Sequence, residues 1–158
     1  MFIDTATAKL HLRVTSTAED ALITIWISAA ESAAVEFLNR YVYVDQDALD
    51  AAIAAAPAAL TTATTAYDAA IAAAALIESE VERNMATFAA EDAYAKAQTV
   101  ARMTHQGIVV NDNIKAAILL TLGHLYANRE DVAANVTAAK LPMGACALLQ
   151  PYRAAMGI

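Results

Sequence analysis

Residues 114–130, IKAAILLTLGHLYANRE, constrain this chain more than any other stretch. Asn111, Asp112 and Asn113 stand before it as N-cap candidates, so the sequence predicts a helix starting near Ile114. At 100° per residue, Ile114, Ile118, Leu119, Leu122, Leu125 and Tyr126 share an arc about 140° wide. Ala116, Leu120, Gly123 and Ala127 form a second, small-residue face. Thr121, His124 and Asn128 make only a thin polar strip between them. A helix apolar around most of its circumference must be wrapped by other helices or by other subunits. Arg129 projects from within the apolar arc at the last turn, which suits the helix dipole and also sets a charge beside a packing surface. It reads either as a dipole partner with a snorkelling stem or as a salt bridge at a helix–helix or subunit contact.

The chain has 158 residues, enough for one domain with a sizeable core. It is 59% hydrophobic yet only 6% aromatic, because the apolar excess is alanine. Alanine favours helix but buries little area, so the core energy must come from a few larger side chains and close helix approach. A net charge of -7 gives no electrostatic drive to grip nucleic acid. The single cysteine, Cys146, excludes an intrachain disulfide and fits a reducing compartment. Met1-Phe2-Ile3 is followed by Asp4 rather than a basic and then apolar leader. The apolar run 69–77 is far shorter than the roughly 20 residues a membrane span needs.

Asp4 is placed to cap a short helix reaching about Arg13. Ser16-Thr17-Ala18-Glu19 matches a capping box, and the helix after it is expected to run to about Arg40. Its wheel gathers Leu22, Ile23, Trp26, Ile27, Phe37 and Leu38 on one arc, with Ala29, Ala30, Ala33 and Ala34 allowing a partner close approach. Glu36 and Arg40 would pair at i,i+4. Tyr41 to Val44 reads as a short strand or extended exit. Between Asp45 and Gln106 the composition shifts to Ala, Thr and Glu. A short helix over 47–56 should end before Pro57. Residues 60–106 then read as one long helix or two, with a bend at 84–87. Leu60, Tyr67, Ala74, Val81, Phe88 and Ala95 recur every seven residues, a weak heptad. This block is either an inserted helical arm or an Ala-rich linker, and the periodicity favours the arm. Residues 108–110 lead into the central helix. After a polar stretch, 131–140, a final helix is expected from Leu141, with Pro142 at its first position.

No chemistry assembles from these residues. His11, His105 and His124 lack partners at metal-ligand spacing, and Cys146 has no base near it in sequence. Glu78, Glu80, Glu82, Glu91 and Asp92 read as a solvated helix face rather than an acid/base pair. No catalytic residue, metal site or cofactor is expected.

The ordered motifs do form a pattern. Lys9-Leu10-His11-Leu12-Arg13-Val14 is followed by Glu19-Asp20-Ala21-Leu22-Ile23 and by Phe37-Leu38-Asn39-Arg40. Ile114-Lys115-Ala116-Ala117-Ile118-Leu119-Leu120 leads to Gly123-His124-Leu125-Tyr126-Ala127-Asn128-Arg129-Glu130. Leu141-Pro142-Met143-Gly144, Leu148-Leu149 and Pro151-Tyr152-Arg153 close the chain. In this order the segments resemble the head–tail connector (adaptor) proteins of tailed bacteriophages, also labelled phage DNA-packaging proteins.

The resemblance implies an all-α protomer: a small helical bundle over 1–44 and 107–158, with the Ala-rich arm 45–106 inserted where family members are much shorter. It implies a structural role in the virion, at the head–tail junction, after assembly in the bacterial host cytoplasm. Twelve copies would form a ring below the portal protein, extend the channel for genomic DNA without reading its sequence, and dock a tail-side stopper or tail-terminator protein. The candidate subunit-interface residues are Trp26, Leu119, Leu122, Tyr126, Arg129, Glu130, Tyr152 and Arg153. The alternative is a small-terminase-like packaging factor that binds DNA.

Overall fold

The computed structural model describes residues 1–129 and 143–154. Among them the chain is all-α apart from two two-residue strands. The elements are α1 (Thr5–Leu12), α2 (Asp20–Leu38), β1 (Val42–Tyr43), α3 (Gln46–Ala74), α4 (Glu80–His105), β2 (Ile108–Val109), α5 (Asp112–Ala127) and α6 (Met143–Leu149), with a 3-10 turn at Gln150–Tyr152. They divide into two compact units, one of residues 1–44 with 108 onward and the other of residues 45–107.

The first unit is a bundle in which α5 packs on α2, α1 and α6. Its core is Ile23, Ile27 and Leu38 of α2, Ile114, Ile118 and Leu122 of α5, and Leu149 of α6, all essentially without exposure. Burying each such side chain contributes roughly 1.5–3 kcal/mol. Alanines 30, 34, 117 and 145 fill the spaces between them. The buried line on α2 therefore runs 23-27-30-34-38, and Leu22 falls outside it. By length and composition α2 could cross a bilayer, but one face of it is core. Asp4 caps α1 by accepting from the Thr7 N–H, Lys9 ties α1 to Asp20 at 2.7 Å, and the Glu31 carboxylate accepts from the Phe2 and Ile3 N–H groups. A Cβ on Gly123 would lie 3.3 Å from the His11 ring, so the small-residue face of α5 lets α1 sit close. β1 and β2 pair in parallel, Val42 with Ile108 and Tyr43 with Val109, bringing the two crossings into the inserted unit side by side.

The second unit is an α-helical hairpin. On α3 the inward line is Leu49, Ile53, Ala56, Leu60, Ala63, Tyr67, Ile71 and Ala74; on α4 it is Arg83, Thr87, Ala90, Tyr94, Ala97, Ala101 and Thr104. Steps of three and four make these coiled-coil seams built mainly of alanine. Tyr67 and Tyr94 stack across the seam, ring centres 5.1 Å apart.

Four sequence expectations are corrected here. Helix α3 does not end before Pro57 but runs through it. Pro57 is exposed, on the side of α3 away from the seam, and the alanines on either side sustain the helix. The break falls at 75–79, not 84–87. Ser79-Glu80-Val81-Glu82 is itself a capping sequence, and the Ser79 hydroxyl accepts from the Glu82 N–H. That turn resets the helical phase, so Leu60, Tyr67 and Ala74 are on the seam while Val81 and Phe88 point outward. Helix α2 stops at Leu38, where Asn39 turns left-handed, φ 53°, and Glu36 with Arg40 is not among the ion pairs of the described residues. Thr121, expected on a polar strip, is buried with its hydroxyl donating to the Ala117 carbonyl. Pro142 and the stretch 131–140 lie outside the described residues.

Candidate functional site

The candidate interface residues gather at two places on the bundle unit. The first joins the beginning of α2 to the end of α5. Ser16 does not cap α2: its hydroxyl accepts from the Ala18 N–H instead. Glu19 precedes the helix without a side-chain cap bond, because its carboxylate is drawn to α5. There it accepts from the Tyr126 hydroxyl at 2.9 Å and from the Arg129 guanidinium at 2.9 Å. Charge-assisted bonds of this kind are stronger than a neutral cap. The Arg129 guanidinium lies 4.8 Å from the Tyr126 ring centre and 5.3 Å from that of Trp26. Trp26 and Tyr126 meet edge to face at 5.6 Å. Arg129 also donates to the Tyr126 carbonyl, one of the open carbonyls at the helix end. The dipole contact and the helix–helix salt bridge are thus both made within one protomer.

The electrostatics follow from this latch. The Tyr126 hydroxyl, and then Arg129, hold the Glu19 carboxyl below its usual range. The same hydrogen bond to Glu19, with desolvation second, raises the Tyr126 phenol. The latch is only partly covered, with the Arg129 side chain 46% and that of Glu19 32% exposed.

The second place lies at the other end of α2, roughly 16 Å along its axis from Trp26. Tyr152 receives a hydrogen bond from Asn113 at 2.8 Å, and Arg153 stacks over Phe37 at 5.2 Å. The Ala154 N–H donates to the Leu38 carbonyl, which satisfies an open group at the helix end. Leu119 sits half-buried in the shell around the core. Leu122 is corrected: at 0% exposure it is core and presents no surface. Glu130 lies outside the described residues.

Sequence reasoning missed two features. Ile25 is 63% and Leu22 39% exposed, side by side with half-buried Trp26 on the outward face of α2. The wheel carries the signal, but the predicted apolar arc lies about 40° round from the buried line 23-27-30-34-38. The second is the pairing of Glu19 with Arg129 in place of a cap, across 110 residues, which no local pattern carries. Among the described residues no group of three or more His, Cys, Asp or Glu could hold a metal ion. What these clusters offer is ion pairing and aromatic packing at a partly exposed surface.

A family model for phage gp6-like head–tail connector proteins matches residues 3–86. The match takes in α1, α2, β1, α3 and the first residues of α4, so it extends well into the inserted hairpin. The segments around α5 and α6 that also carried the resemblance lie beyond it. No curated protein and no solved structure matches the chain. Covering more than half of the sequence, the family match shows that the chain belongs to the phage gp6-like head–tail connector family, whose role in the virion is structural.

Proposed function

We propose that this chain is the protomer of a closed ring at the phage neck, twelve copies below the portal protein, which prolongs the DNA channel and docks a stopper or tail-terminator protein. The observation that carries the ring is the outward face of α2. Leu22 and Ile25 are left uncovered by their own unit beside Trp26, Tyr126 and Arg129. Apolar surface of this kind marks a contact with another molecule, and Trp, Tyr and Arg are the residues enriched at such contacts. A sister copy would cover that face, with Leu119, Tyr152 and Arg153 as further contributors and Glu130 beside Arg129 in sequence. The net charge of -7 suits a channel wall that DNA passes without sticking.

Light scattering followed by negative-stain imaging tests the ring, in the presence of the portal where the isolated chain stays monomeric. Ile25→Asp should leave the helical circular dichroism unchanged and abolish rings. Trp26, the single tryptophan, should shift its emission to the blue on assembly in the parent chain only. Rings formed equally well by Ile25→Asp would remove this face from the interface. The alternative of a DNA-binding packaging factor predicts a salt-dependent gel shift with bare duplex; the ring reading predicts none. A basic collar on the lumen of a solved ring would contradict the wall assigned here.

A further inference from the structure

The far end of the hairpin carries an apolar stripe that its own unit leaves open. Val81, Met85 and Phe88 are 74%, 65% and 64% exposed, and Leu76 in the adjoining turn is 85% exposed. Val81, Met85 and Phe88 follow one another at four and three residues, within about 60° of one helix face. The α4 seam toward α3 uses other residues, so this face has no partner in the hairpin. Its frame is acidic. Glu82 flanks the stripe on one side, Glu80 and Glu91 on the other, and Asp92 closes its end, all exposed. Asp92 is paired with Lys96 at 2.7 Å, whereas Arg83 is turned away and donates to the Ile77 carbonyl inside the hairpin turn. Residues 45–107 hold nine Asp and Glu against three Lys and Arg, a net -6 of the chain's -7.

We infer that this stripe is a docking site for a different protein, one that presents an apolar pocket framed by lysine and arginine. Charge selects this occupant. A second hairpin would bring two carboxylate frames together, and like charges so placed oppose association. Duplex DNA and anionic lipid surfaces are repelled by the same frame. A basic-rimmed apolar surface satisfies both the stripe and its border, with the apolar centre supplying affinity and the charges orientation. The docking site lies on the hairpin and is separate from the α2 face proposed for the ring.

A photo-crosslinking amino acid placed at Phe88 in the full-length chain, in phage-infected cells, tests it. The control is the same probe at Thr99, further along α4 and exposed. The expected result is an adduct with one other polypeptide, at least tenfold above the Thr99 control, through a peptide containing lysine or arginine. The pair Glu80→Lys with Glu82→Lys should reduce that adduct at least tenfold while the helical signal stays unchanged. An adduct only with a second copy, or none above the control, or one indifferent to the charge reversal, would overturn the inference. Ring images from the same preparations report on the α2 face independently, so the two readings can fail separately.

Discussion

The bundle unit and the hairpin are both helical and alanine-rich, but they are held together differently. The bundle closes on seven large aliphatic side chains that are almost wholly buried. In the hairpin the buried residues are Leu49, Ala74, Ala90 and Thr104, and Tyr67 stacks on Tyr94 across the seam. One unit gains its stability from volume, the other from proximity, since alanine seams contribute by letting two backbones approach. The charge divides as unevenly, with a net -6 on residues 45–107 against -1 on the rest of the chain. A unit of small seams and like charges is suited to reaching a partner, and a unit with a dense core is suited to being the fixed body.

This contrast predicts opposite sensitivities. Ile118→Ala opens a cavity at a site with no room to collapse, and should cost about 2–5 kcal/mol in urea unfolding. A loss under 1 kcal/mol would mean that the bundle core is not what closes this unit. In the hairpin the damaging change is enlargement. Ala90→Leu should cost about 1–3 kcal/mol through overpacking at the seam, read from the same unfolding curves and from faster hydrogen exchange in α3 and α4. An unchanged Ala90→Leu protein would show that the seam is loose rather than tight.

The smallest effect is electrostatic and separates the latch from both cores. Glu19 is held below its usual range in the fold, so its contribution is complete above about pH 4.3 and is lost as pH falls through its lower folded value. Tyr126 is raised, so its contribution is present below about pH 10 and is lost as pH rises through its higher folded value. Melting temperature against pH should therefore fall at the acid end more steeply in the parent chain than in Glu19→Gln. Parallel curves below pH 5 would mean that the Glu19 charge does no more than its surroundings would without it.

The two regions also differ in how far they can be read from sequence. The helices of the bundle were legible because Ile, Leu and Trp recur with a helical period and Asp4 and Asn111 mark their starts. The core face of α2 lies slightly round from the predicted arc, since Leu22 and Ile23 are both apolar and only contact with α5 decides which of them is core. In the hairpin over half of the positions are Ala, Thr or Glu, so the larger apolar residues that mark a face are few. The heptad carried past residue 74 failed there, and Pro57 lost to the helix propensity of its alanine neighbours. The turn has a readable signal in Ser79 and Glu82, which fits the observed break better than the bend expected at 84–87. The candidate surface was half legible. Trp26, Tyr126 and Arg129 do converge, but the residue that brings them together, Glu19, is distant in sequence and looked like a cap.

The proposed ring requires the outward face of α2 to be completed by a sister copy. A cryo-electron microscopy reconstruction of the phage neck tests it most directly. The expected result is a closed ring of this chain below the portal, with Leu22, Ile25 and Trp26 of each protomer buried against the next. A neck without this chain, or a ring in which Ile25 faces solvent in every copy, would contradict it.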